Sequence, residues 1–385
     1  LRTPSTGIVE TDAERGLVKY AKPAGVIASL IPMTNPAMTP PVTGVSSANA
    51  RNAVIFSPHP RTAATTCEMS RIMRAACHAV GAPEDLFQCI ERPSIPMTQY
   101  LMESCDLTLA TGGKPMVQAA YSSGKPAYGV GAGNSTIVVD ETADLNEAAK
   151  NIMISKTSDF GSGCSADGNI VIQKSIYSNM VSELQANNGY LCNSAEKELL
   201  SRAMWDNKEN RTFSTIACKP QQLALVAGFE IPEHIKFLMV ENNGQIGREH
   251  KFSKEKLTTL MALYYFEEFP DALNIIQKIY EVGGKGHSCG IYSTSDKNID
   301  ALARVAPVSR MMVRQPQSKS NAGSWTNGMP MTSSLGCGIW GGNITNENVT
   351  MKHMMNYTWV SKPIQEDRPS ERELFGEFFG QEVAR

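Results

Sequence analysis

The stretch best equipped for chemistry is residues 156–172, KTSDFGSGCSADGNIVI. Gly161, Ser162 and Gly163 place little bulk ahead of Cys164, so the backbone can turn sharply there and a substrate can approach the sulfur. An exposed, reactive thiol in such a loop is a candidate nucleophile for a carbonyl carbon. The competing reading is the ordinary fate of a free cysteine, burial as a small apolar side chain.

Other short motifs offer supporting chemistry. Asn35, between Pro32 and Pro36, can present an amide N–H to a developing oxyanion, although turn formation alone would account for it. In ATGGKPMV, Gly112 and Gly113 separate a strand from a helix start, where free backbone N–H groups suit a phosphate. GVGAGN (129–134) precedes a strand instead of opening a helix, so it is not a dinucleotide fingerprint; its glycines fit a place where a chain or ligand passes close to the backbone. Glu255 in KFSKEKL and His287 in GGKGHS are polar residues in short motifs that more often solvate or support than react. LGCGIWGGN (335–343) crowds four glycines around Trp340, a density expected for close packing near a ligand or an interface.

The elements that must position these residues alternate. Two short strands flank a polar turn in 7–22, an apolar strand runs from 25 into a Pro-rich loop, and a helix is expected over 42–50. NAVIFSPHPR, LTLATGG, AYGVG and STIVVD read as strands separated by helices at 62–80, 95–103 and 114–124. A helix over 144–155 leads into the cysteine loop. Beyond it NIVIQ, FSTIA, KFLMVE, LTTLMALYYF, CGIYS and RMMV alternate with a second set of helices. The pattern predicts an α/β fold with two doubly wound units and places Cys164 at their junction, a usual location for an active site.

Composition narrows the function. A net charge of −2 gives no electrostatic basis for holding nucleic acid or an anionic membrane surface, and no apolar run is long enough to span a bilayer. Nine cysteines are scattered without a CxxC, so a reducing, cytoplasmic setting is expected. The six histidines are dispersed, which gives a metal site little support. The chain begins with Leu1, which raises the expectation of a fragment.

Taken in order, PMTNP (32–36), RNAVIFSPHPR (51–61), LATGG (109–113), AAYSSGKPAYGVGAGN (119–134), the Cys164 loop, EKL (255–257), GGKGH (283–287) and LGCGIWGGNITNENV (335–349) resemble the CoA-acylating aldehyde dehydrogenases from residue 7 to about 362. The resemblance implies a protruding oligomerisation hairpin (1–22), a dinucleotide-binding domain (23–156) lacking its N-terminal helical part, a catalytic domain (157–342) and a segment (343–385) returning to the cofactor and oligomerisation region. It also implies a homodimer or homotetramer, in the cytoplasm or a bacterial microcompartment.

By the same resemblance Cys164 is the nucleophile, and the Asn35 side chain with the Cys164 backbone N–H holds the oxyanion. Ser57, Pro58 and His59, with Thr111, Gly112 and Gly113, hold the adenosine and pyrophosphate of NAD or NADP, and Glu255 holds the nicotinamide ribose. Coenzyme A takes the acyl group from the cysteine thioester, and the Cys164 thiol pKa is expected to be lowered. GVGAGN stands where hydrolytic relatives carry a water-activating glutamate, which favours CoA as acceptor. Arg314, in RQP where bifunctional relatives have Asn, is expected to pair with an anionic substrate group, and His287, in a motif of the acylating group, is a second substrate candidate of unsettled role. This looks like the acylating sulfoacetaldehyde dehydrogenase branch; acetaldehyde or propionaldehyde is the rival substrate. A non-catalytic dinucleotide-binding homologue is the rival of another class.

Overall fold

A computed structural model describes residues 3–380; the first two residues of the expected hairpin segment and the last five of the C-terminal segment lie outside it. Three sheets organise the described residues. The first strands, β1 (Gly7–Asp12) and β2 (Leu17–Pro23), form the expected antiparallel hairpin. β3 (Val26–Ile31), β4 (Ala53–Pro58), β5 (Phe87–Cys89), β6 (Leu107–Thr111) and β7 (Ala127–Val130) make a parallel sheet in the order β5-β4-β3-β6-β7. Its helices are α1 (Thr39–Asn49), α2 (Ala63–His78), α3 (Ile95–Ser104) and α4 (Lys114–Tyr121). α1 starts three residues earlier than expected, because Pro40 and Pro41 fit a first turn that needs no N–H donors.

β8 (Thr136–Val139), β9 (Asn169–Gln173), β10 (Gly189–Leu191), β11 (Phe237–Glu241), β12 (Leu260–Phe266), β13 (Cys289–Tyr292) and β14 (Met311–Val313) form a seven-stranded parallel sheet, β10-β11-β12-β9-β8-β13-β14. α5 (Leu145–Thr157), α6 (Tyr177–Ala186), α7 (Ser194–Met204), α8 (Pro220–Ala227), α9 (Phe269–Val282), α10 (Asp296–Val305) and the short α11 (Gln317–Ser320) accompany it. β15 (Met355–Ser361) then pairs antiparallel with β2, and α12 (Glu371–Phe375) lies in an exposed tail.

Strand residues alternate between two cores. On β8, Ile137 and Val139 join one cluster while Val138 joins the other; on β12, Met261 and Leu263 face opposite to Leu260, Ala262 and Tyr264. A sheet buried on both faces needs apolar residues at both parities, which is why its strands read as continuous apolar runs.

Three expectations change. By sheet membership the changeover falls between Val130 and Thr136, not at 156: β8 precedes the thiol loop but is hydrogen-bonded to β9 and β13. FSTIA is no strand; Phe213–Thr215 is a 3₁₀ turn, held where the Arg211 guanidinium donates to Thr215 Oγ1 and O, both at 3.0 Å. The sheet's edge strand is β10 instead. Finally, Cys67 on α2 and Cys89 on β5 are joined by a disulfide, which the expected reducing setting does not lead to, because α2 packs across β5; the other seven cysteines are free.

Candidate active site

The two parallel sheets turn opposite strand ends to the site. In the five-stranded sheet, the order β5-β4-β3-β6-β7 reverses direction between β3 and β6, so a crevice opens beyond their carboxyl ends. Asn35 follows β3 there, Ser57–His59 close β4, and Thr111–Gly113 close β6. The Asn35 carbonyl caps α1 by accepting from Thr39 N–H at 3.3 Å and Thr39 Oγ1 at 2.8 Å, while its side-chain amide has no hydrogen-bond partner among the described residues.

A cavity of about 490 Å³ adjoins Ser57, Pro58 and His59, walled by Ile95 and Thr98 of α3 and Met116 of α4. Its apolar walls and the α4 N-terminus fit a flat base carrying phosphates. A Cβ on Gly113 would meet only Pro115, at 3.8 Å, so the approach to that helix end is open. Ser57 Oγ shares a 2.9 Å hydrogen bond with Thr98 Oγ1. Burial, then the Arg61 charge, lowers the pKa of His59, and the Arg61 guanidinium stacks 3.8 Å from the Phe213 ring centre.

The seven-stranded sheet offers its amino ends. Asn169 on β9 is level with Thr136 on β8 and Ala262 on β12, and Thr136 is level with Cys289 on β13. The segments that lead into these strands therefore converge: 131–135, 164–168, 255–259 and 287–288. The thiol loop leaves α5 through three residues with positive φ, Asp159 (47°), Phe160 (52°) and Gly161 (67°). The sharp turn anticipated from the glycines is thus made by Asp159–Gly161, in a left-handed conformation that costs a bulky Phe energy.

Gly133 is the closest approach. A Cβ there would sit 1.8 Å from the Cys164 carbonyl oxygen, so no other residue fits without moving the loop, and GVGAGN does allow a chain to pass close. Gly133 N–H donates to Glu255 Oε1 at 3.2 Å, and Ser135 Oγ donates to the Cys164 carbonyl at 3.3 Å. Ser135 Oγ pairs with Ser288 Oγ at 3.0 Å, which in turn meets His287 Nδ1 at 2.9 Å. Sequence motifs more than 100 residues apart thus meet at the backbone of Cys164.

The electrostatics correct one expectation. The Cys164 thiol is not lowered: burial first, then Glu255 and Cys337, push it up to about 12, opposed by Arg310 and its own backbone N–H. Cys164 is partly exposed, not open. Glu255 is raised to about 8, chiefly by burial, against the Gly133 N–H and the charges of Lys156, Arg211 and Lys256. Burial holds His287 neutral, lowering it to about 3, with Arg310 adding to the effect.

Arg314 follows β14 at the carboxyl edge, and its Nε faces Glu147 Oε2 of α5 at 3.8 Å, with both side chains partly exposed. Three strand residues, ~10 Å, separate it from the level of Thr136 and Cys289. The local alternation shows that it ends a strand but not which edge of the sheet faces the thiol. Residues that the motifs did not single out are drawn in instead. Gln317 Nε2 donates to Asp167 Oδ1 at 2.9 Å, and Lys156 and Lys256 are each 1% exposed. Burial brings both Lys156 and Asp167 to about 7. Lys156 beside an apolar helix run and Asp167 in a Gly-rich run carry a weak sequence signal, whereas Lys256 in KFSKEKL and Gln317 in RQPQSKS carry none. A second cavity of about 510 Å³, on the other side of α4, is bordered by Gly131, Gly284, Lys285 and Trp340, which puts LGCGIWGGN beside the GGKGH loop.

The aldehyde dehydrogenase family matches residues 2–193. A sulfoacetaldehyde dehydrogenase of Acholeplasma sp is 42% identical over 378 residues, 97% of this chain and 78% of that protein. A sulfoacetaldehyde dehydrogenase (acylating) of Bilophila wadsworthia is 40% identical over 379 residues, covering 97% and 82%. The crystal structure of an acetylating aldehyde dehydrogenase from Geobacillus thermoglucosidasius is similar with a TM-score of 0.92 and 37% identity, covering 96% of this chain and 81% of that one. With its thiol loop at the junction of two doubly wound sheets, the chain belongs to the CoA-acylating branch of the aldehyde dehydrogenase family.

Proposed function

We propose that this protein oxidises a short aldehyde to an acyl-CoA with NAD(P)+ as acceptor, that Cys164 is its nucleophile, and that sulfoacetaldehyde is its substrate. The observation that carries the acylating chemistry is the state of segment 129–134. It has no carboxylate, and its one polar side chain, Asn134, is engaged at both ends: Nδ2 donates to the Ser253 carbonyl at 2.8 Å and Oδ1 accepts from Asn169 Nδ2 at 3.0 Å. No group there is left to activate water, so an acyl group on Cys164 outlasts hydrolysis until a second thiol displaces it. The names of the two sulfoacetaldehyde dehydrogenase relatives support the substrate.

Cys164 loses its proton and bonds to the aldehyde carbon, and the carbonyl oxygen takes the negative charge. Asn35, with its free amide, and the Cys164 N–H stabilise that oxygen. Ser57, Pro58, His59, Thr111, Gly112 and Gly113 hold the dinucleotide across the five-stranded sheet, and Glu255 holds the ribose next to the nicotinamide. When bound, the cofactor supplies a cationic ring that accepts the hydride and favours the thiolate of an otherwise strongly raised thiol. The acyl group stays on sulfur as a thioester, and CoA removes it. Association through the β1-β2-β15 sheet, with Tyr20, Trp359 and Val360 exposed, gives a homodimer or dimer of dimers.

Aldehyde-driven reduction of NAD(P)+ should require CoA and vanish in Cys164→Ala. Turnover to the free acid without CoA would overturn the acylating reading. A kcat/KM for acetaldehyde equal to or above that for sulfoacetaldehyde would overturn the substrate.

A further inference from the structure

The thiol edge contains a buried lysine that the chemistry above does not use. Lys256 follows Glu255 in the chain, is 1% exposed, and donates from Nζ to Asn169 Oδ1 at 2.7 Å. With Nζ as donor, Asn169 turns its oxygen towards Lys256 and its NH₂ away. That NH₂ donates to Asn134 Oδ1 at 3.0 Å and to Thr136 Oγ1 at 3.3 Å. Asn134 must then direct its own NH₂ to the carbonyls of Ser253, at 2.8 Å, and Gly283, at 3.5 Å. One amine donor at the end of this relay sets the direction of two buried amides.

The relay ends where position matters most. Asn134 adjoins Gly133, which lies against the Cys164 carbonyl and donates to Glu255. Glu255 and Lys256 are consecutive, and so are Gly133 and Asn134, so the two pairs are tied together both directly and through Asn169. Filling space does not explain a lysine here. A methionine would occupy similar volume without a polar head to dehydrate, and burial first, then the charges of Lys156 and Arg211, lowers the Lys256 pKa well below the usual lysine range, opposed by Glu255.

We propose that Lys256 is a positioning residue for the thiol chemistry: through Asn169 and Asn134 it seats residues 133–135 against Cys164 and Glu255. This rests on Cys164 being the nucleophile. The test compares Lys256→Met, which cannot donate to Asn169, with Lys256→Gln, whose amide can. Lys256→Met should lower kcat by about 10- to 100-fold with aldehyde KM changed less than about threefold, the size of effect expected when a reacting group is slightly misplaced. It should also displace the pH profile of Cys164 alkylation by iodoacetamide, and Lys256→Gln should recover kcat to within about fivefold of wild type.

Wild-type kcat and alkylation profile in Lys256→Met would overturn the proposal, as would equal losses in the Met and Gln variants. Should Lys256→Met fail to fold, Asn169→Asp decides: it still accepts from Lys256 but cannot donate to Asn134, and wild-type kcat in it refutes the relay. Cys164→Ala in the same assay separates the two readings. Retained turnover there overturns both, whereas a dead Cys164→Ala beside a wild-type Lys256→Met overturns the relay alone.

Discussion

The carboxyl edge of the five-stranded sheet and the amino edge of the seven-stranded sheet are built on different principles. The first is a set of loop ends rich in prolines and glycines, with the Asn35 side-chain amide free of hydrogen bonds among the described residues. The second is a packed interior in which Asn134, Asp167, Asn169, Lys256 and His287 are each at most 1% exposed. A groove that binds by backbone contacts tolerates side-chain change. A polar interior does not, because every partner removed leaves another buried group unpaired.

The sharpest contrast is between two glycines. Gly133→Ala must move the thiol loop and is expected to cost roughly 3 kcal/mol or more of stability, with loss of turnover. Gly113→Ala meets only Pro115, in ordinary contact at 3.8 Å, and should change stability by less than ~1 kcal/mol and activity by a few-fold. Thermal unfolding and CoA-dependent rates on both variants check this; equal sensitivity would erase the distinction between the edges.

Two asparagines extend it. Asn134→Ala removes the 3.0 Å acceptor of Asn169 and the 2.8 Å donor to the Ser253 carbonyl, and should destabilise by about 2–3 kcal/mol. Asn35→Ala should leave stability within ~0.5 kcal/mol while lowering kcat about 100-fold. If Asn35→Ala instead lowers the unfolding midpoint and spares kcat, its amide is structural.

The packed edge should also show itself in acid. His287 is lowered from 6.5 to about 3. Between those values the unfolded chain binds the proton and the folded one does not, so stability falls as pH falls, by up to about 1.4 kcal/mol per pH unit from this group. Denaturant midpoints from pH 7 to 4 in wild type and His287→Asn measure it; the same slope in both would remove His287 as the cause.

The smallest effect belongs to Arg314. An exposed pair with Glu147 contributes ~0.5 kcal/mol or less, and at the far edge it should not alter the kcat/KM ratio of sulfoacetaldehyde to acetaldehyde. A ratio shifted tenfold in Arg314→Ala would bring it back to the substrate.

Much of the groove was legible because its signals are local. Thr111-Gly112-Gly113 between a strand and a helix, and Ser57-Pro58-His59 closing a strand, can be read from a few neighbours and lie where expected at strand ends. The thiol edge was legible only in its backbone: the glycines around Cys164 and in GVGAGN mark a turn and a close approach. Lys156, Asp167, Asn169 and Lys256 carry no such mark, since a polar or charged residue reads as solvated until its partners are known.

By itself the sequence determined the alternation of strands and helices, the two doubly wound units, the glycine-flanked loop of Cys164 and the family. Each depends on side-chain period or on short ordered motifs. Only the tertiary structure decided that the Cys164 thiol is raised and not lowered, that Arg314 faces Glu147, that Cys67 meets Cys89, and that Lys256 directs two amides. Those outcomes are sums over groups brought together from 87 residues apart for Lys256 and Asn169, 119 for Asn134 and Ser253, and 122 for Gly133 and Glu255. Desolvation and hydrogen-bond direction depend on what surrounds a group in space, and local periodicity carries no information about that.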